Sequence, residues 1–83
     1  MKNLLKRISI DPNVCHGKPH IKGHRIMVYQ ILDLLSAGIE PEEIISNDYF
    51  PQITIQDVYA GIAYANQLVQ NEEVHFFEEL KTV

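Results

Sequence analysis

Leu34-Leu35-Ser36-Ala37-Gly38-Ile39-Glu40-Pro41-Glu42-Glu43-Ile44-Ile45 decides how this chain folds. Upstream, Val28, Ile31, Leu32 and Leu35 recur at i, i+3, i+4 and i+7, the apolar stripe of a helix. Gly38 stops that helix, and Ile39 is placed for the apolar contact that accompanies a left-handed cap. Pro41 suits the first position of a second helix, with Glu42 and Glu43 favourable at its positive end. Ile44 and Ile45 face inward, and the spacing predicts a short helix ending near Ser46-Asn47-Asp48. Tyr49-Phe50-Pro51-Gln52-Ile53 reads as a connector whose aromatics plug the core. Thr54 is a natural N-cap, with Asp57 in the place of a weak capping box. Ile55, Val58, Tyr59, Ile62 and Val69 carry one stripe along a third helix, predicted to run to about Gln70 and to end at Asn71. Gly61 inside it costs about 1 kcal/mol relative to Ala, which points to a close packing neighbour.

Upstream of this block the periodicity is that of strands. Arg7-Ile8-Ser9-Ile10 alternates apolar and polar side chains, as a half-buried strand does. Asp11-Pro12-Asn13 and His16-Gly17-Lys18-Pro19 are turn signals. Lys22-Gly23 can close a tight hairpin between His20-Ile21 and His24-Arg25-Ile26, because Gly supplies positive φ. The expected fold is mostly α: short N-terminal β-strands or a hairpin, a three-helix helix-turn-helix core, and a short tail. It forms a single domain, 1–83, divided into a basic β arm (1–27), a helical core (28–70) and an acidic amphipathic tail (71–83).

The chain has 83 residues, 46% of them hydrophobic and 22% charged, which suits a globular domain and not a disordered one. A core of this size is marginal on its own, so a partner or a homodimer is expected. Cys15 stands alone, which excludes an intrachain disulfide framework. No apolar run approaches the ~18 residues of a membrane span. The first seven residues begin like a signal peptide, but no apolar stretch follows. The expected compartment is the cytoplasm, with no membrane association.

The net charge of −4 conceals a split. Residues 1–30 hold six Lys/Arg against Asp11, a net +5, whereas residues 31–83 hold Lys81 against ten Asp/Glu, a net −9. DNA binding rests on cations that neutralise phosphates, and residues 31–80 contain none. The third helix, as a recognition helix, offers Thr54, Gln56 and Tyr59 for hydrogen bonding only. Any contact with DNA or with an acidic partner therefore falls to the basic arm, at Lys18, Lys22, His24 and Arg25. The plainer alternative is that these charges form a solvated face.

Other chemistry is sparse. Cys15, His16, His20 and His24 are zinc-type ligands at short spacings, but Gly17, Pro19 and Gly23 exclude a helix that would align them, and exposed loop histidines are common. Cys15 beside His16 is a poor nucleophile–base pair, since neighbours in a strand point to opposite faces. The chain reads as a non-enzyme that needs no cofactor and no metal. Val74, Phe76, Phe77 and Leu80, among Glu72, Glu73, Glu78 and Glu79, either fold back on the core or dock on a partner by helix-in-groove anchoring.

Ile8-Ser9-Ile10-Asp11-Pro12, then Gly17 through Val28, Leu34-Leu35-Ser36-Ala37-Gly38, Glu42-Glu43-Ile44-Ile45, and Pro51 through Val58 to Ala63-Tyr64-Ala65 resemble a widespread bacterial family, domain of unknown function 433 (DUF433). The resemblance covers about residues 7–65. It implies a homeodomain-like helix-turn-helix fold and membership of a VapB-like antitoxin group. Such a protein would neutralise a PIN-like ribonuclease toxin and repress its own operon by binding operator DNA. Since PIN-like nucleases hold metal with clustered carboxylates, Lys18, Lys22 and Arg25 could pair with them. The family usually has a small residue at the place of His16, Thr at His24 and an apolar residue at His20, so the histidines read as local variation. Two other roles fit the same outline: a stand-alone helix-turn-helix DNA-binding regulator, and a small adaptor whose helix-turn-helix is architectural.

Overall fold

The structure, a computed structural model, describes the backbone of residues 2–82 and the side chains of residues 4–71. The elements run α1 (Lys2–Leu5), β1 (Ile8–Ser9), a 3-10 turn (Cys15–Gly17), β2 (His20–Ile21), α2 (Val28–Ser36), α3 (Pro41–Ile44) and α4 (Ile55–Thr82). This is a helix-rich mixed fold with one two-stranded antiparallel sheet. Ile8 lies opposite Ile21 and Ser9 opposite His20. The His24 N–H donates to the Ile21 carbonyl at 2.9 Å, closing a tight turn in which Gly23 takes φ +85°. That left-handed angle suits Gly and strains most other residues. The returning arm is held by Ile21 N–H to the Ile26 carbonyl at 2.9 Å and by a single bridge between His20 and Met27. The predicted hairpin thus forms with a returning arm too short to be a strand.

The helix ends follow local chemistry. At the start of α2 the Gln30 Oε1 accepts the Met27 N–H at 2.9 Å. At its end Gly38 has φ +92°, and the Ile39 and Gly38 N–H groups donate to the carbonyls of Leu34 and Leu35, each at 3.0 Å. That pair of bonds is a Schellman cap, and Ile39 packs against the core as the motif favours. α4 opens on a reciprocal capping box. Thr54 N–H donates to Asp57 Oδ2 at 2.9 Å, and Asp57 N–H donates to Thr54 Oγ1 at 3.3 Å.

The core is a cluster of Ile21, Ile26, Ile31, Ile44, Ile53 and Val58. Each comes from a different element or connector, so one β-branched side chain per segment ties the sheet, three helices and two connectors together. Such side chains are stiff at χ1 and lose little freedom on packing. Each contributes about 1.5–3 kcal/mol when fully buried. Ile8, Leu34, Leu35, Ile45 and Phe50 pack around them.

Several expectations need correction. β1 stops at Ser9, which leaves Ile10 58% exposed. α3 ends at Ile44, short of Ser46. Phe50 packs on the core as expected, but Tyr49 is turned out to solvent. α4 does not end at Asn71 and continues unbroken to Thr82, because no residue there interrupts a helix-compatible sequence. Its stripe is divided as well. Val58 is buried with Ala60 and Ala63, whereas Tyr59 is 45%, Ile62 39% and Val69 63% exposed. Gly61 lies against Val28 and Ile31 of α2, whereas Tyr59 and Ile62 lie on the side toward α1. The side chains of Val74, Phe76, Phe77 and Leu80 lie outside the described residues.

Candidate functional site

The residues of the basic arm fall in three places. Lys22 is exposed in the Gly23 turn, and its N–H donates to the Arg7 carbonyl at 2.7 Å. Arg7 in turn donates from its guanidinium to Asp57 Oδ1 at 3.2 Å. Asp57 lies in the first turn of α4, so the Gly23 turn is linked to α4 through Arg7. His24 and Arg25 stay together and line an open depression of about 320 Å³ with Ser9, Asp11 and His20. Lys18 stands apart from them. Its Nζ lies 5.9 Å from the centroid of the Tyr29 ring, a cation–π distance. There it rims an apolar groove of about 270 Å³ between α2 and α4, lined by Val28, Tyr29, Leu32, Tyr64 and Leu68.

Of the recognition-helix candidates, Thr54 is committed to the cap of α4 through both its N–H and its hydroxyl. Gln56 is exposed on the first turn. Tyr59 is exposed too, but it lines a second apolar depression of about 360 Å³, between α1 and α4, with Leu4, Ile62, Ala63 and Asn66. Four residues, 37–40, join α2 to α3, the length of a helix-turn-helix turn, whereas ten, 45–54, separate α3 from α4.

The cysteine and histidines do not converge. Cys15 and His16 sit in the 3-10 turn with φ of +53° and +56°, so they are not the strand neighbours that the sequence suggested. His20 is buried, with Nδ1 3.0 Å from the Lys18 carbonyl oxygen. A carbonyl only accepts, so Nδ1 carries the proton and serves the turn. Among the described residues no three of His, Cys, Asp and Glu are grouped to hold a metal ion. No helix among them is long and apolar enough to cross a membrane.

Sequence reasoning missed the Arg7–Asp57 pair and the two apolar depressions. Fifty positions separate Arg7 from Asp57, and no local pattern links them. The depressions had a signal in the large apolar residues of α4, which exceed what one helical face can bury.

One solved structure similar to this chain is the crystal structure, at 2.00 Å resolution, of a DUF433 member protein from Anabaena variabilis ATCC 29413. It is 27% identical, with a TM-score of 0.70, over 89% of this chain and 71% of that one. No curated protein matches the chain. The family model described as "Protein of unknown function (DUF433)" matches residues 8–65, which span the sheet, α2, α3 and the first eleven residues of α4. The chain belongs to the DUF433 family.

Proposed function

We propose that this protein is a non-enzymatic, VapB-like antitoxin of a type II toxin–antitoxin pair, which binds and neutralises a PIN-like ribonuclease toxin. The observation that carries this reading is the basic turn. Lys22 and Arg25 are exposed and His24 is half-buried on a turn fixed by the Gly23 bend, the Arg7 carbonyl and the Ile21–Ile26 bond. A turn whose backbone is already fixed loses little main-chain freedom when its cations meet the carboxylates of a nuclease metal centre, and charge-assisted hydrogen bonds to carboxylate are the strong ones. The test is co-expression with the product of the adjacent reading frame. The two should co-purify, and Lys22→Glu with Arg25→Glu should weaken the complex at least about tenfold, or 1.4 kcal/mol. Failure to co-purify would reject the reading.

A second reading is favoured by the link from Lys22 through Arg7 to the first turn of α4. Under it, α2, α3 and α4 act as a homeodomain-like helix-turn-helix that binds operator DNA, with Gln56 exposed on the first turn of α4. Affinity for the upstream DNA should then fall with salt, log K against log [salt] having a slope of about −0.9 per phosphate contacted. Binding that ignores both salt and the Lys22→Glu substitution would exclude it.

A further inference from the structure

α4 outruns the core it packs on. Its 28 residues make a rod of about 42 Å at 1.5 Å per residue. The last buried position is Ala63, and every residue from Asn66 to Asn71 is exposed, with Leu68 47% and Val69 63% accessible. The helix nonetheless continues to Thr82. An overhang of this length is marginal in water by itself, because helical stability in proteins comes mostly from packing an apolar face.

The spacing says what packs there. Tyr59, Ile62, Asn66 and Val69 follow one another at steps of three, four and three, which is the 3.5-residue repeat of helices that pair with helices. Glu73, Phe76 and Leu80 continue the same register in the sequence. We propose that α4 pairs antiparallel with the α4 of a second copy of this chain, along the seam of Tyr59, Ile62, Asn66 and Val69.

Charge selects both the occupant and the direction. The overhang carries Glu72, Glu73, Glu78 and Glu79 against Lys81. A parallel pair would bring these carboxylates together. An antiparallel pair separates the two acidic ends and brings Glu78 and Glu79 toward the turns of the other α4 on which α1 packs through Leu4, two residues before Lys6 in a first third of net positive charge. A two-fold axis near Val69 sets Phe76 of one copy level with Ile62 of the other, at the α1–α4 depression of about 360 Å³. Glu79 then comes level with Tyr59, which lines the same depression with Leu4. This dimer does not depend on the antitoxin reading.

Sedimentation equilibrium of the full chain over the micromolar range tests it. The chain should dimerise, and Val69→Glu should raise the dimer dissociation constant at least about tenfold, or 1.4 kcal/mol. Val69 is exposed in the single chain, so the core should fold as before. Leu68→Glu, on the opposite groove, should leave the dimer intact. Cysteine cross-linking in a Cys15→Ser background reads the direction. A mixture of Ile62→Cys and Phe76→Cys chains should cross-link to each other, and Ile62→Cys alone should not cross-link to itself. A monomer throughout, a dimer that tolerates Val69→Glu, dissociation by Leu68→Glu, or self-linkage of Ile62→Cys would each overturn the proposal.

Discussion

Gly61 sits in the middle of α4, where glycine weakens a helix. It is buried, and a Cβ built on it would lie 3.7 Å from Val28 Cγ1 and 3.9 Å from Ile31 Cδ1. Those are ordinary van der Waals distances. The close neighbour that the sequence implied is therefore real, but it leaves room for one methyl group. Gly61→Ala should stabilise the chain by about 0.5–1 kcal/mol through helix propensity, with no offsetting clash. Thermal melts should show a rise of about 2–8 °C, and a fall would mean that α2 cannot accept the methyl. His16 presents the opposite case. It holds φ +56° between Cys15 and Gly17, which are also left-handed. An L-residue pays about 1–2 kcal/mol there and glycine does not. His16→Gly should therefore be neutral to stabilising by about 1 kcal/mol despite adding backbone freedom, as urea titration would show. The Gly38 cap and the Gly23 turn were legible because the signal is local. The run at Cys15–Gly17 was not, since nothing in Cys-His announces a left-handed backbone.

At the scale of elements, the first turn of α4 joins two parts of the chain. Asp57 is buried and accepts from both Thr54 N–H and Arg7. The half that lies within four residues could be read from Thr54 and Asp57, and the half that reaches Arg7 could not. The two halves should separate in denaturant titrations. Thr54→Ala should cost about 1 kcal/mol, the usual value of an N-cap. Asp57→Ala should cost more, about 2–3 kcal/mol, because it strips two donors of their acceptor in a buried place. Arg7→Ala, at a half-exposed side chain, should cost under about 1 kcal/mol. Any other order would mean that the pair does not tie the β arm to the helix. α4 also shows how the periodicity misled. Its stripe was read as one core face, but of those residues only Val58 is fully buried, and it is Gly61 that lies against Val28 and Ile31 of α2. The large residues at Tyr59, Ile62 and Val69 are left outside. A helical period fixes which residues share a face, and the volume available fixes which face goes inward.

For the molecule as a whole, the division into a +5 first third and a −9 remainder becomes a division in space only in part. Arg7 crosses it to Asp57, and Lys18 crosses it to the α2–α4 groove, which leaves Lys6, Lys22 and Arg25 as the outward cations among the described residues, with His24 beside Arg25. The helix-rich mixed fold and the order of β1, β2, α2, α3 and α4 could be read from the sequence because they follow from caps, turns and periods, whereas α1 inside the expected β arm could not. The gathering of the site could not, because it depends on contacts between distant segments. Among the described residues only nine apolar side chains are buried, while Tyr29, Tyr59, Ile62, Leu68 and Val69 stay exposed. A core this small leaves little margin, so covering the outer face of α4 should add a visible share of the total. If a second copy covers it, folding and association are linked by mass action, and the melting temperature must depend on concentration. A tenfold rise in chain concentration supplies about 1.4 kcal/mol per dimer, or about 0.7 kcal/mol per chain. For a domain of this size that is about 3–6 °C. Calorimetry at two concentrations should show the shift in the parent chain and lose it in Val69→Glu, whose melting temperature should match the dilute limit of the parent. A melting temperature that is constant with concentration in the parent chain would mean that the exposed face contributes nothing to its stability.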